Sequence, residues 1–146
     1  MVLLLCIPAF AANINKTYTF DRPAVVSERN YQVISFDNTL VTGLTGQPAL
    51  PYRAVNLLLP PGEEAVSVNV ILEDEVFLEG SYTLFPQQPS RPVSEGSDGL
   101  FSIDEDLYRS SMPYPAEALG SYSTHFMNGH SVLLTTFTPV KYIPAT

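Results

Sequence analysis

Two histidines, His125 and His130, stand five apart in "STHFMNGHS", and one cysteine, Cys6, stands in the opening apolar run. These are the residue types from which a thiolate–imidazole dyad or a zinc site is built. A dyad needs the thiolate and its base together in the mature fold. Cys6 falls in a segment that reads as a cleavable signal, so it leaves before any such site forms. Zinc needs three or four N or S donors, and two histidines without a second cysteine do not supply them. Both histidines read instead as turn or strand-edge residues.

The acidic groups "EDE" (Glu73 to Glu75) and "DEDLY" (Asp104 to Tyr108) raise calcium binding or a glycosidase carboxylate pair. Neither is supported. "DEDLYRSSMPYP" lacks the alternating acids, the glycine and the distal Glu of a calcium loop, so these acids read as solvated surface charge. No Gly-x-Ser-x-Gly, phosphate-cradling glycine loop or His-Glu-x-x-His occurs. The chain is expected to be no enzyme by itself and to use no metal or cofactor.

The elements around these residues are those of an all-β protein. The 146 residues carry 13 Pro, 8 Gly, 8 Tyr and 8 Phe without a sustained 3.6-residue period. The expected strands are NKTYTF (15–20), YQVISF (31–36), AVNLLL (54–59), AVSVNVIL (65–72), EVFLEGSYTL (75–84) and SVLLTTFTPVKYI (131–143). The 65–72 run has the clearest period of two. "LPPGEE" after Leu59 is expected to turn the chain into a hairpin over 54–72. Residues 85–122, rich in Pro, Gly, Ser and acids, read as a long surface excursion pinned by Phe101, Tyr108, Tyr114 and Tyr122.

The formal net charge of −8 argues against nucleic acid or an anionic membrane as partner. The start, "MVLLLCIPAFAANINKT", has an apolar stretch from Val2 to Ile7 and a small-x-small pattern at Ala9 to Ala11. Residues 1–12 are therefore expected to be a signal peptide, one without a basic start, and residues 13–146 a single extracytoplasmic domain. A buried strand is the competing reading of the same stretch. The apolar run is too short to span a bilayer.

"GQPALPYRAVNLLLPPGEEAVSVNV", "FPQQPS", "LYRSSMPYPAEAL" and "GHSVLLTTFTPVKYIP", in that order, resemble the amino-terminal propeptide of gingipain-type cysteine peptidases. Gly46, Pro48, Leu50, Pro51, Pro61, Gly62, Tyr114, Pro115, Phe137, Pro139, Tyr142 and Pro144 carry the likeness. The resemblance implies an antiparallel β-sandwich that is truncated at its C-terminus and lacks its last strands, with the strand at 131–143 left as an open edge. It also implies a partner, the caspase-like catalytic domain of the same secreted precursor, whose active site the propeptide covers to keep the zymogen latent while assisting its folding. "NGH" at Asn128 to His130 reverses the family's His-Gly and cannot stand for the catalytic histidine.

Under that resemblance the inhibitory loop is placed at Arg91 and Pro92. An acidic specificity pocket would take the Arg91 cation, and Pro92 would make the following bond a poor substrate. Arg53 and Arg109 are the next candidates. The prolines Pro48 and Pro51 fix φ and lower the entropy cost of ordering the following strand, although such residues also simply punctuate turns. An extracellular carbohydrate-binding or adhesive β-sandwich, with exposed Tyr and Phe stacking on sugars, is the alternative function.

Overall fold

The computed structural model describes residues 12–90, 92, 94 and 101–144. Six strands and one helical turn follow in chain order: β1 (Ala24–Glu28), β2 (Tyr31–Ser35), β3 (Leu40–Thr42), β4 (Leu50–Leu59), α1 (Glu105–Tyr108), β5 (Leu119–Met127) and β6 (His130–Phe137). β1 and β2 form a two-stranded hairpin, and the other four form an antiparallel sheet in the order β3-β4-β6-β5. The fold is the expected all-β, sandwich-like one, and its only α-helix among the described residues is four residues long.

β6 shows why the sheet forms. Its residues alternate between exposed or partly covered and fully buried, with Ser131, Leu133, Thr135 and Phe137 on the buried face, which is the period of two that a half-buried strand requires. Their partners on β4 are Leu59, Leu57, Val55 and Arg53. The two buried polar positions are satisfied: Ser131 Oγ accepts from Gly62 N at 3.0 Å, and Thr135 Oγ1 donates to Ser121 O at 3.0 Å. At the Phe137 end the rings of Tyr18 and Phe20 cover this face, at 5.5 and 5.8 Å between centroids. Residues 15–20 thus act as a cover without joining a ladder, contrary to the strand expected there.

The hairpin expected over residues 54–72 does not form. β4 finds its partner in β6, almost eighty residues later, and the chain leaving Pro60 crosses over the sheet instead of reversing along it. Gly62 N donates to Ser131 and Ala65 N to Thr124 Oγ1 at 3.1 Å. Residues 65–72 keep alternating exposure but join no strand, and Val66 and Ile71 are 93% and 80% exposed. The strand expected at 75–84, entered from a positive-φ Asp74, is broken by positive φ at Gly80 and survives as one bridge at Leu84.

β6 also corrects the expected strand at 131–143. It ends at Phe137; Thr138 N still donates to Ala118 O at 3.0 Å, Pro139 has no N–H to continue the ladder, and the next pairing is the bridge between Tyr114 and Tyr142. β6 lies inside the sheet, between β4 and β5, so the expected open edge belongs to β5 instead. β5 is not among the expected strands: Leu119 to Tyr122 fall at the end of the expected excursion and Ser123 to Met127 in the stretch read as a turn before the next strand. It joins β6 through Asn128 and Gly129, at φ 50° and 80°, the left-handed pair that a two-residue hairpin turn demands and that Asn-Gly supplies with little strain.

The core is one small cluster of Ile34, Leu50, Leu84 and Tyr142, with Phe36, Tyr52, Tyr82, Tyr114 and Val140 against it. Two phenols are tied to the backbone of this region: Tyr108, outside the cluster, donates to Leu84 O at 2.6 Å, and Tyr142 to Tyr82 O at 3.0 Å. Burial, together with the neighbouring Tyr142, Tyr31 and Tyr114, pushes the Tyr108 phenol far above its ordinary value of 10.0. Burial also raises Tyr114 and Tyr142. A folded-state pKa above the unfolded one means that the folded state holds the proton more tightly, so stability is intact below pH about 10 and is lost as pH rises beyond it. Urea melts are expected to give a flat midpoint from neutral pH to about pH 9 and a decline above pH about 10. Tyr108→Phe is expected to cost about 1 kcal/mol at neutral pH by stranding the Leu84 carbonyl, and to reduce the alkaline decline.

Candidate functional site

The four prolines of "GQPALPYRAVNLLLPPG" sit at two places. Pro60 and Pro61 turn the chain at the end of β4, whereas Pro48 and Pro51 are fully buried at its beginning. Pro51 pairs with Val41 of β3 before β4 meets β6 at Arg53, so its missing N–H falls where the ladder on the β6 side has not yet begun. This buried segment is a bracket for the long excursion. Ala49 N donates to Phe85 O at 2.9 Å, Gly46 N to Gln87 O at 2.7 Å, and Gln87 N to Gln47 O at 2.8 Å. Pro48 and Pro86 form the bridge between the two runs.

The returning end of the excursion is held on the same bracket. Asp104 N donates to Gly46 O at 2.8 Å. Gly46 has φ +84°, and a Cβ there would lie 3.2 Å from Asp104 N, so both conformation and space call for glycine. Asp104 then caps α1, its carboxylate accepting from Leu107 N at 3.1 Å, as an N-cap does. Phe101 stacks on Tyr31 at 5.5 Å and meets Phe85 edge-on at 5.9 Å.

Gln88 closes the two ends on each other. Its Nε2 donates to Ser102 O at 3.0 Å and to Pro86 O at 2.8 Å, and its Oε1 accepts from Ser102 N at 3.0 Å. One amide side chain therefore reads both the donor and the acceptor of a backbone unit 14 positions away. Gln88 and Ser102 thus form a clasped base for the segment between them. Arg91 lies outside the described residues. Pro92, inside this loop, is exposed.

The other candidates are dispersed. Arg53 is on β4, its guanidinium 5.4 Å over the Tyr18 ring and donating to Asn38 O at 3.1 Å. It lines a cleft of about 390 Å³ shared with Arg22, Asp21 and Asp37, where charges of both signs balance. Arg109 follows α1, exposed and paired with Glu105 at 2.9 Å. His125 and His130 lie near the ends of β5 and β6, exposed, with His125 Nε2 3.0 Å from Ser123 Oγ. Cys6 lies outside the described residues. Among the described residues no three His, Cys, Asp or Glu side chains converge. The acids at 104–106 do more than carry surface charge, since Asp104 caps the helix that seats Tyr108. Gln88 was not singled out from the sequence, and only the loop length around it pointed there.

Fold and site together define a β-sandwich scaffold that displays a clasped loop. The family Propeptide_C25 matches residues 14–146, and the chain belongs to it: it is a propeptide domain and is not catalytic. Among solved structures it is similar to one of gingipain K from Porphyromonas gingivalis, described for its zymogenic latency, at 22% identity and a TM-score of 0.62. That likeness covers 84% of this chain and 70% of the other. It is also similar to a complex of the Porphyromonas gingivalis RgpB pro- and mature domains, at 18% identity and a TM-score of 0.67, covering 88% and 69%. No curated protein matches the chain.

Gln88→Ala is expected to destabilise the domain by about 1 to 3 kcal/mol in urea melts, because it leaves partly buried backbone groups at Ser102 and Pro86 unpaired. Gln88→Glu keeps the acceptor but sets a carboxylate against two carbonyls, so no rescue is expected. Hydrogen exchange at the Ser102 amide should accelerate in Gln88→Ala, where the acceptor is lost. Unchanged exchange there would mean that the clasp does not hold the loop.

Proposed function

We propose that the chain is the inhibitory and folding-assisting propeptide of a secreted bacterial gingipain-type cysteine endopeptidase, which keeps its zymogen latent by covering the active site. The membership of residues 14–146 in a propeptide family carries the reading. The likeness to a gingipain K structure described for zymogenic latency and to a complex of pro- and mature domains supports it. The partner is then the caspase-like catalytic domain of the same precursor, and the site of action is extracytoplasmic, with residues 1–12 serving as the signal peptide. No described helix is long and apolar enough to cross a membrane.

The loop between Gln88 and Ser102 is the segment proposed to enter the cleft. A fixed base limits how much freedom an inserted loop loses on binding, which favours affinity. Arg91 is proposed as the side chain that occupies an acidic specificity pocket, and Pro92 as the residue that protects the bond after it from cleavage.

The test is inhibition of the mature peptidase by the wild-type chain and its variants. Arg91→Ala is expected to weaken inhibition by about 2 to 4 kcal/mol, the scale for losing a buried anchor and stranding its carboxylate partner. Arg91→Lys should lose less, because it keeps the cation but not the bidentate geometry. Arg53→Ala and Arg109→Ala serve as controls, each checked for folding by a thermal melt. Equal inhibition constants for wild type and Arg91→Ala would move the plug to another residue, and no inhibition by the wild type would overturn the function itself.

A further inference from the structure

We infer that the bend around Asp74, within residues 63–79, is a second docking surface of this domain, and that it receives an apolar, basic-rimmed face of the same catalytic domain whose cleft the loop after Gln88 enters. The inference rests on the inhibitory reading above and adds a contact away from the cleft. The chain bends at Asp74, where φ is 53°, and carries apolar side chains outward on both arms. Val66 and Ile71 before the bend are 93% and 80% exposed, and Val76 and Phe77 after it 84% and 92%. Single exposed apolar residues are ordinary on a protein surface, whereas several displayed by one segment mark an interaction site.

Polar contacts hold the segment while these side chains face away. On the first arm Ala65 N donates to Thr124 Oγ1 at 3.1 Å and the Tyr122 hydroxyl to Val66 O at 3.5 Å, with Val68, Val70 and Leu72 as the partly covered side chains. On the second arm Lys141 Nζ meets Glu75 Oε1 at 2.7 Å, and the Tyr82 hydroxyl donates to Glu79 O at 2.8 Å. A segment tied on both arms loses less freedom on binding than a loose one, which favours affinity.

Charge and size specify the occupant. Glu63, Glu64, Glu73, Asp74, Glu75 and Glu79 all lie in this segment, and no Lys, Arg or His stands between Arg53 and Arg91. Apolar side chains set among acids fit an apolar patch rimmed by Lys or Arg. A second copy of this chain brings the same acids and a formal charge of −8, so it is repelled. The catalytic domain has a use for the surface, because residues 89–101 alone fall short of the roughly 20 to 30 residues a side that a standard interface employs. Extended chain advances at most about 3.6 Å per residue, which keeps Phe77 within about 40 Å of Gln88. A globular domain of about 250 residues is about 45 Å across, so one partner spans both.

Inhibition of the mature peptidase by the full chain is the test. Phe77→Ser and Val76→Ser are each expected to raise the inhibition constant about tenfold, chiefly through faster dissociation. Their thermal melts should match the wild type, because both side chains are exposed. The loss should persist in an Arg91→Ala background, since the two surfaces are separate contacts. Glu73→Lys should slow association, most at low salt, by turning a cation toward the basic rim. Should Phe77→Ser lower the melt, Val76→Ser and Glu73→Lys read the same surface. Inhibition by the wild type that all three substitutions leave unchanged would overturn this inference and spare the inhibitory reading. No inhibition by the wild type would overturn both. Sedimentation of the free chain separates the other occupant: self-association abolished by Phe77→Ser would assign the bend to a second copy and overturn the inference.

Discussion

The contact among Ile34, Leu50, Leu84 and Tyr142 holds everything else in place. These four residues come from β2, the start of β4, the stem of the long excursion and the chain beyond β6, so one cluster joins the two sheets and seats the loop. With no cysteine among the described residues, no disulfide supports it there. Fully burying a Leu contributes about 1.5 to 3 kcal/mol, and Leu50 and Leu84 are both completely inaccessible. In a domain whose stability is of the order of 5 to 15 kcal/mol, two such side chains are a large share.

The prolines in the opening of β4 follow from the same constraint. Two of them, Pro48 and Pro51, are fully buried beside Leu50, and so is Pro86, next to Leu84 on the excursion stem. A buried proline fills volume without presenting an N–H that must be paired. That suits a bracket whose remaining amides, at Gly46, Gln47 and Ala49, are each committed to a stated partner. Stiffness and polar economy therefore coincide, and neither of the two sequence-level readings of these prolines, preorganisation or turn punctuation, is complete alone.

How far the sequence reveals this depends on the range of the interaction. β2, β4 and β6 were legible because Ile34, Val55, Leu133 and Phe137 fall on an alternating apolar pattern. β5 was not, because Ser121, Ser123 and His125 are polar and lie on an edge, where no apolar face is required; the Asn128-Gly129 turn was the available signal. The Val-rich run at 65–72 misled for the opposite reason. Its pattern describes a half-buried extended chain, which it is, but alternation does not say which strand already occupies the place beside β4. Gln88 was invisible because its meaning lies in Ser102, a backbone unit brought near only by the Gly46 to Ala49 bracket.

The clasp also separates two demands that conflict in a propeptide reading. A segment that inserts into a cleft has to project from the core, whereas a domain that folds without cross-links has to spend its apolar residues on the core. Closing a loop of this length costs about 2 kcal/mol in chain entropy beyond a constant. The three hydrogen bonds of Gln88, at about 0.5 to 1.5 kcal/mol each, are of a size to offset it. The loop base is therefore set by polar contacts at the rim, while Leu50 and Leu84 remain free to serve the core beneath.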